Sequence, residues 1–106
     1  MKSRYNKFIN QIKSVIKQTD PTAVAILYGS RATGKARKDS DWDILILLDR
    51  PTVSIKDEQL FRENLYDLEL ETGEAISTFA YAKDDWNTRL SVTPLYQAVK
   101  QNGIVL

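Results

Sequence analysis

Two short, continuous apolar runs constrain the fold of this chain more than any other feature of its sequence. They cover Ala23 to Tyr28 and Ile44 to Leu48. An uninterrupted apolar run of this length, bounded by turn-forming residues, is typical of a buried strand. Gly29 ends the first run, and the second is followed within a few residues by Pro51. Buried strands need other elements to cover them, so the sequence predicts helices packed on a small sheet.

The rest of the apolar pattern supplies those helices and a further strand. Helical spacing predicts a first helix that ends before Asp20-Pro21 and another over Ile55–Glu71. The run from Ala75 to Tyr81 predicts a third strand, and a last helix is predicted over Pro94–Gln101. The fold class is therefore mixed α/β (α+β), with a small mixed sheet. A chain of 106 residues without repeats or a linker is treated as one domain, residues 1–106.

Aromatic residues at core spacing are expected to pack inside this domain. They are Tyr5, Phe8, Phe61, Tyr66 and Phe79.

Composition excludes several classes of site. The chain has no cysteine and no histidine, which excludes thiolate and imidazole metal sites and His-based acid–base catalysis. A bound metal would have to be a hard cation held by oxygen. Fifteen Lys and Arg residues against fourteen Asp and Glu give a net charge of +1, so general nucleic-acid binding driven by overall charge is not expected. With no secretory signal or membrane span in the sequence, we expect a cytoplasmic protein.

Gly29-Ser30-Arg31 directly follows the first predicted strand. A glycine lets the backbone turn sharply and approach a ligand closely. If a short helix starts at Ser30, its free N–H groups and the hydroxyl form an anion site for phosphate. Arg31 either adds charge to that site or braces the turn. Taken alone, the three residues are equally typical of an ordinary surface turn.

Asp41 and Asp43 lie two residues apart at the start of the second strand. Side chains alternate across a strand, so both carboxylates should point the same way, with Trp42 packed on the opposite face. Two carboxylates from one short segment suit Mg²⁺, which completes its shell with phosphate and water. In the alternative interpretation, Asp41 is a cap or turn residue and Asp43 a solvated strand end. Mutual repulsion between the two charges favours the metal site.

The loop between these two motifs is basic. Lys35, Arg37 and Lys38 lie within it, close to Arg31. They are candidates to meet a triphosphate, an RNA or an acidic partner. A solvated loop is the alternative, and for Lys35 and Lys38 it is the preferred one.

Gly29-Ser30-Arg31, followed by Ser40-Asp41-Trp42-Asp43 and an apolar strand, resembles the signature of the DNA polymerase β-like nucleotidyltransferase superfamily. The resemblance is to its minimal nucleotidyltransferases, which are often paired with helical HEPN partners in toxin–antitoxin operons. It implies a palm-like core, nucleotide binding by Gly29 and Ser30 with Arg31 beside them, and Asp41 and Asp43 as catalytic ligands of two Mg²⁺ ions. The implied reaction is attack of an acceptor hydroxyl on the α-phosphate of an NTP, with ATP and AMP transfer indicated by the family alone.

The family pattern has a third carboxylate on a later strand, and here the register places Ser77 at that position. Serine supplies neither the charge nor a base at neutral pH. Glu74 and Glu71 are candidates to replace it from the beginning of the strand.

The sequence therefore leaves two main functions open. One is a Mg²⁺-dependent transferase acting on a hydroxyl of a partner protein or a small molecule, with a second subunit or a HEPN-like partner completing the site. The other is an antitoxin-type subunit that binds and masks its partner without efficient catalysis. A general RNA-binding domain is a weaker third hypothesis, because the basic loop lacks an aromatic stacking surface.

Overall fold

A computed structural model describes residues 2–106. Met1, the first residue of the predicted domain, lies outside the described residues. The elements in chain order are α1 (Lys2–Thr19), β1 (Val24–Tyr28), α2 (Ser30–Thr33), β2 (Trp42–Leu48), α3 (Ile55–Thr72), β3 (Ile76–Ala82), α4 (Lys83–Asn87), a 3-10 turn (Arg89–Val92), α5 (Pro94–Asn102) and β4 (Ile104–Val105).

The four strands form one mixed sheet in the order β3-β2-β1-β4. β1 is antiparallel to both of its neighbours, whereas β2 and β3 are parallel. A parallel pair needs a long crossover between its strands, and α3 provides it. The predicted small mixed sheet with helices is confirmed.

Both faces of β2 are covered, which explains its continuous apolar sequence. We call first face the side of the sheet to which Trp42, Ile44, Ile46 and Leu48 point, and second face the side of Asp43, Leu45 and Leu47. The first face is packed against α1 and α3, through the buried residues Phe8, Ile12, Ile16, Phe61, Leu65 and Leu68. On the second face, Leu45 and Leu47 pack with Trp86 of α4 and Val99 of α5. The second face is therefore covered beside Leu45 and Leu47, whereas Asp43 at the beginning of the strand is only half-buried.

The turn from α1 into β1 is fixed by Asp20, a buried carboxylate. Its Oδ1 accepts hydrogen bonds from the Thr22 backbone N–H at 2.9 Å and the Thr22 hydroxyl at 2.8 Å. Its Oδ2 lies 3.1 Å from Arg50 Nη2 in a salt bridge. The Thr22 hydrogen bonds, together with Arg50, lower the pKa of Asp20 below its ordinary value in spite of burial. This carboxylate stabilises the entry to the strand that carries Gly29.

Two of the aromatic residues expected in the core are exposed. Tyr66 is 55% exposed and Phe79 is 45% exposed. The buried stripe of α3 is narrow, and Tyr66 lies one residue beyond Leu65, so it is rotated away from the sheet. Phe79 lies on the edge strand β3, where the second face lacks cover.

The strand bounds differ slightly from those predicted. β2 begins at Trp42, two residues before the apolar run, so Asp41 precedes the strand and only Asp43 lies within it. A short edge strand, β4, follows the last helix. No helix within residues 2–106 combines the length and the apolar character needed to cross a membrane.

Candidate functional site

The β1–α2 turn brings the backbone of Gly29 against the carboxylate of Asp43. Gly29 has φ 71° and ψ −157°, a conformation that is open essentially only to glycine. A Cβ at this position would overlap Asp43 Oδ2 and press on its Cγ and Cβ. Ser30 follows directly and begins α2, so the helix start on which the sequence analysis made the anion site conditional is present. The two motifs are therefore in direct contact, although the sequence separates them by a loop.

Asp43 lies in the middle of a row of three residues that cross the sheet. It pairs with Tyr28 of β1 on one side and with Ser77 of β3 on the other. Asp43 is half-buried, whereas Asp41 is exposed. Burial, and secondly the charge of Asp41, raises the pKa of the Asp43 carboxyl. A cation bound by both carboxylates would remove this penalty, and their oxygens are the ligands that Mg²⁺ prefers.

Tyr28 was not recognised as a site residue from the sequence. Its phenol lies in a half-buried position on the second face near Asp43 and Tyr81. Burial, followed by the charges of Asp43 and Tyr81, raises the pKa of Tyr28 to about 12. Tyr28 therefore stays a neutral hydroxyl beside the Asp pair. Its place depends on the β1–β2 register, which no local sequence signal reveals.

The third strand places a hydroxyl beside Asp43. Ser77, which the sequence analysis assigned to the position of the third carboxylate, is the register partner of Asp43. Across residues 2–106, no group of three or more Asp, Glu, His or Cys side chains is arranged to hold a metal ion.

Neither of the two candidate replacements for the third carboxylate joins the Asp pair. Glu74 Oε2 accepts a hydrogen bond from Trp42 Nε1 at 3.2 Å and lies 3.8 Å from Arg31 Nη2. Glu71 is exposed at the end of α3, beside a groove between α1 and α3. Both carboxylates are thus engaged or located away from Asp43.

Arg31 contacts the backbone of the basic loop. Its Nη2 donates to the carbonyl oxygen of Ser40 at 2.8 Å and to that of Lys38 at 3.3 Å, and its Nε donates to Ser40 at 3.3 Å. The guanidinium carbon lies 4.5 Å from the centre of the Trp42 ring. These are the contacts of a brace, one of the two roles that the sequence left open for this residue. The other basic residues of the loop, Lys35, Arg37 and Lys38, are exposed, as a solvated loop would be.

A cavity of about 560 Å³ lies beside Asp41, between α3 and β3. Asp41 and Ser77 line it from the side of the site. From α3 it is lined by side chains of both charges and a tyrosine, namely Arg62, Glu63, Tyr66 and Glu69. Its volume lies within the range of small-molecule sites. No local sequence pattern predicts this cavity, since its lining residues meet only when α3 crosses from β2 to β3.

Comparison with known proteins identifies a family for this arrangement. Residues 10–104 match the sequence model of the family described as "Polymerase beta, Nucleotidyltransferase". No curated protein matches the chain at a significant level.

Solved structures share the fold. A toxin–antitoxin structure with AMP-PNP has a TM-score of 0.66 and 21% identity, covering 91% of this chain and 69% of that one. A mutant of the toxin–antitoxin MntA-HpeT gives 0.65 and 20%, with the same coverage. A cytoplasmic RNA terminal U-transferase gives 0.52 and 17%, covering 94% of this chain and 32% of that one. At these identities the likeness is one of fold.

Proposed function

This chain belongs to the polymerase β nucleotidyltransferase family, and from that premise we propose that it is a Mg²⁺-dependent enzyme that transfers a nucleoside monophosphate, AMP from ATP, to a hydroxyl group. The acceptor is a hydroxyl of a partner protein or of a small molecule. A protein partner is supported by the toxin–antitoxin structures with the same fold.

The observation that carries this proposal is the contact between Gly29 and Asp43. Phosphate groups that approach the glycine backbone and the Ser30 hydroxyl come directly beside the carboxylate of Asp43, with Asp41 next to it. In this proposal a phosphate and a cation bind where the two segments of the chain contact each other. Burial disfavours the charged form of Asp43, and a close backbone contact adds to its cost. An ordinary surface turn would not require this contact.

The donor set fits Mg²⁺. Asp41 and Asp43 would hold it by oxygen, since the chain offers no thiolate or imidazole ligand. When bound, the metal offsets the charge that develops on the attacking and leaving oxygens of the phosphoryl group. Two carboxylates leave most of the coordination shell to phosphate and water.

For the rest of the reaction, the residues around Asp43 contribute by positioning the reacting oxygens. The acceptor oxygen forms a bond to the α-phosphorus as the bond to pyrophosphate breaks, and the acceptor proton has to leave. Ser77 cannot take this proton at neutral pH. Tyr28 and Ser77 flank Asp43 as neutral hydroxyls and can orient oxygens by hydrogen bonding. Without a third carboxylate, we expect transfer to be slow unless a partner completes the site.

The test is incubation with α-labelled ATP, Mg²⁺ and the protein encoded by the adjacent gene. Label should appear on the partner or in a small-molecule product, and it should disappear in Asp43→Ala. Glu71→Ala, an exposed carboxylate away from the site, is the matched control and should keep wild-type labelling. Tight partner binding without label, unchanged in Asp43→Ala, would contradict transfer.

A second function, an antitoxin-type subunit of a toxin–antitoxin pair, is favoured by the serine at position 77. Without a third acid the chain would keep the fold but act by covering its partner, with or without a bound nucleotide. A thermal shift with Mg²⁺ and ATP but no labelled product would support this alternative. Absence of a shift with any NTP would contradict transfer, whereas masking itself does not require a nucleotide.

A further inference from the structure

We propose that Arg31 is a positioning residue that sets the distance between the Gly29-Ser30 turn and the two carboxylates, and that it does not contact the nucleotide. This inference rests on the proposed function. It assigns Arg31 and Glu74 to one device, a clamp formed by Arg31, Trp42, Glu74 and the carbonyl oxygens of Lys38 and Ser40.

The first argument is the face of the sheet on which the clamp lies. Trp42 points to the first face, where its ring packs on Tyr5 and Phe8 with centroid distances of 5.3 Å and 4.8 Å. The Arg31 guanidinium lies over that same ring. Asp43 is the next residue of the strand and points to the second face. A phosphate that binds beside Asp43 is therefore on the other side of the sheet from Arg31.

The second argument is that the guanidinium is occupied. Its donors meet two backbone carbonyl oxygens, and its plane is stacked on an indole. The Arg31 side chain is only 15% exposed, which leaves little of it accessible to a ligand. A planar group with several fixed donors suits this role, and a lysine ammonium cannot reproduce it.

The third argument is what the clamp connects. Arg31 belongs to α2 directly after Ser30, and it holds the carbonyl of Ser40 directly before Asp41. Trp42 separates the two carboxylates and is itself bound by Glu74, just before β3. The three segments that form the site are thus linked to one another on the first face of the sheet. A displacement of about 1 Å between such segments can lower the rate of a reaction by roughly 100-fold.

The experiment compares Arg31→Lys with Arg31→Ala. A phosphate-binding role requires positive charge, so lysine would largely preserve function. A clamp requires the forked geometry, so both variants should behave alike. We expect each to raise the Mg²⁺ concentration for half-maximal transfer about tenfold or more and to lower kcat, while ATP affinity without Mg²⁺ stays within about twofold of wild type.

Amide hydrogen exchange provides a readout that does not need activity. In both variants residues 35–43 should exchange faster, whereas the buried end of β2 should not change. Glu74→Gln keeps an acceptor for Trp42 but removes the charge next to Arg31, so it should shift the Mg²⁺ dependence less than either Arg31 variant does. Arg89→Ala removes an exposed arginine that pairs with Asp85 four residues earlier, and it should match wild type in every measurement.

Two results would overturn the clamp. One is Arg31→Lys with wild-type Mg²⁺ dependence beside an impaired Arg31→Ala. The other is a loss of Mg²⁺-free ATP affinity in Arg31→Ala. If Arg31→Ala does not fold, Arg31→Lys and the exchange data decide alone. Failure of the wild-type protein to bind Mg²⁺ and ATP would reject the proposed function instead, and the exchange experiment would still test the clamp.

Discussion

Gly29→Ala is the substitution for which the structure predicts the clearest double effect, on stability and on the site. The backbone of Gly29 lies in a region that costs a non-glycine residue about 1–3 kcal/mol. The added methyl would also overlap Oδ2 of Asp43, so the carboxylate has to move. For a domain near 100 residues, each kcal/mol lowers Tm by roughly 4–8 °C, so we expect a fall of about 4–24 °C.

Gly34→Ala is the matched control for this substitution. Gly34 also has a positive φ, 79°, but a Cβ there would meet nothing within 4 Å. It should lower stability by about 1–2 kcal/mol through backbone strain alone. Thermal unfolding should therefore show both variants destabilised, whereas the thermal shift caused by Mg²⁺ and ATP should be lost only in Gly29→Ala. Equal nucleotide responses in the two variants would refute the argument that the glycine exists for close approach to Asp43.

Three further substitutions probe the carboxylates and the serine. Asp43→Asn should abolish the Mg²⁺-dependent thermal shift. It should not lower the stability of the metal-free protein, because it removes a half-buried charge next to Asp41. A marked loss of Tm in the metal-free protein would contradict this expectation. Ser77→Asp should raise transfer at least tenfold in the presence of Mg²⁺, measured with α-labelled ATP, because it places a carboxylate beside Asp43. Unchanged transfer with intact ATP binding would show that position 77 does not supply the missing third carboxylate. Asp20→Asn should cost about 1–3 kcal/mol at pH 7 in urea unfolding. Because folding lowers the pKa of Asp20, its contribution is complete above the ordinary value of 3.8 and is lost as pH falls through the folded-state pKa. The difference from wild type should therefore shrink in acid, and a pH-independent difference would contradict the assignment.

The sequence predicted what depends on local patterns. Apolar runs and helical spacing indicated the strands and helices, and the register of Ser77 followed from aligning the third strand with the family pattern. Prediction was weaker wherever distant segments meet. The contact of Gly29 with Asp43, the place of Tyr28 and the cavity beside α3 all depend on strand pairing and on the crossover. Local sequence carries no information about such geometry.

Dependence on the whole fold also explains why the predicted burial of Phe79 was wrong. Its alternation within β3 is regular, but its exposure depends on where β3 lies in the sheet, and edge position is a property of the whole fold. Glu74 is a comparable case. From the sequence it was a candidate for the site. The structure shows that its carboxylate instead contacts the indole of Trp42 and the guanidinium of Arg31.

The position of β3 at the edge of the sheet also has a consequence for partial unfolding. β1 and β2 are neighbours in the chain and antiparallel, so closing the contact between Gly29 and Asp43 requires only a short loop. β3 joins them with the whole of α3 between, and one of its edges has no strand partner. A fluctuation that frees β3 and α3 would therefore leave Gly29 next to Asp43, whereas Trp42 would lose its hydrogen bond to Glu74. The contact that we propose as the site of phosphate and cation would thus outlast the segment that carries Ser77.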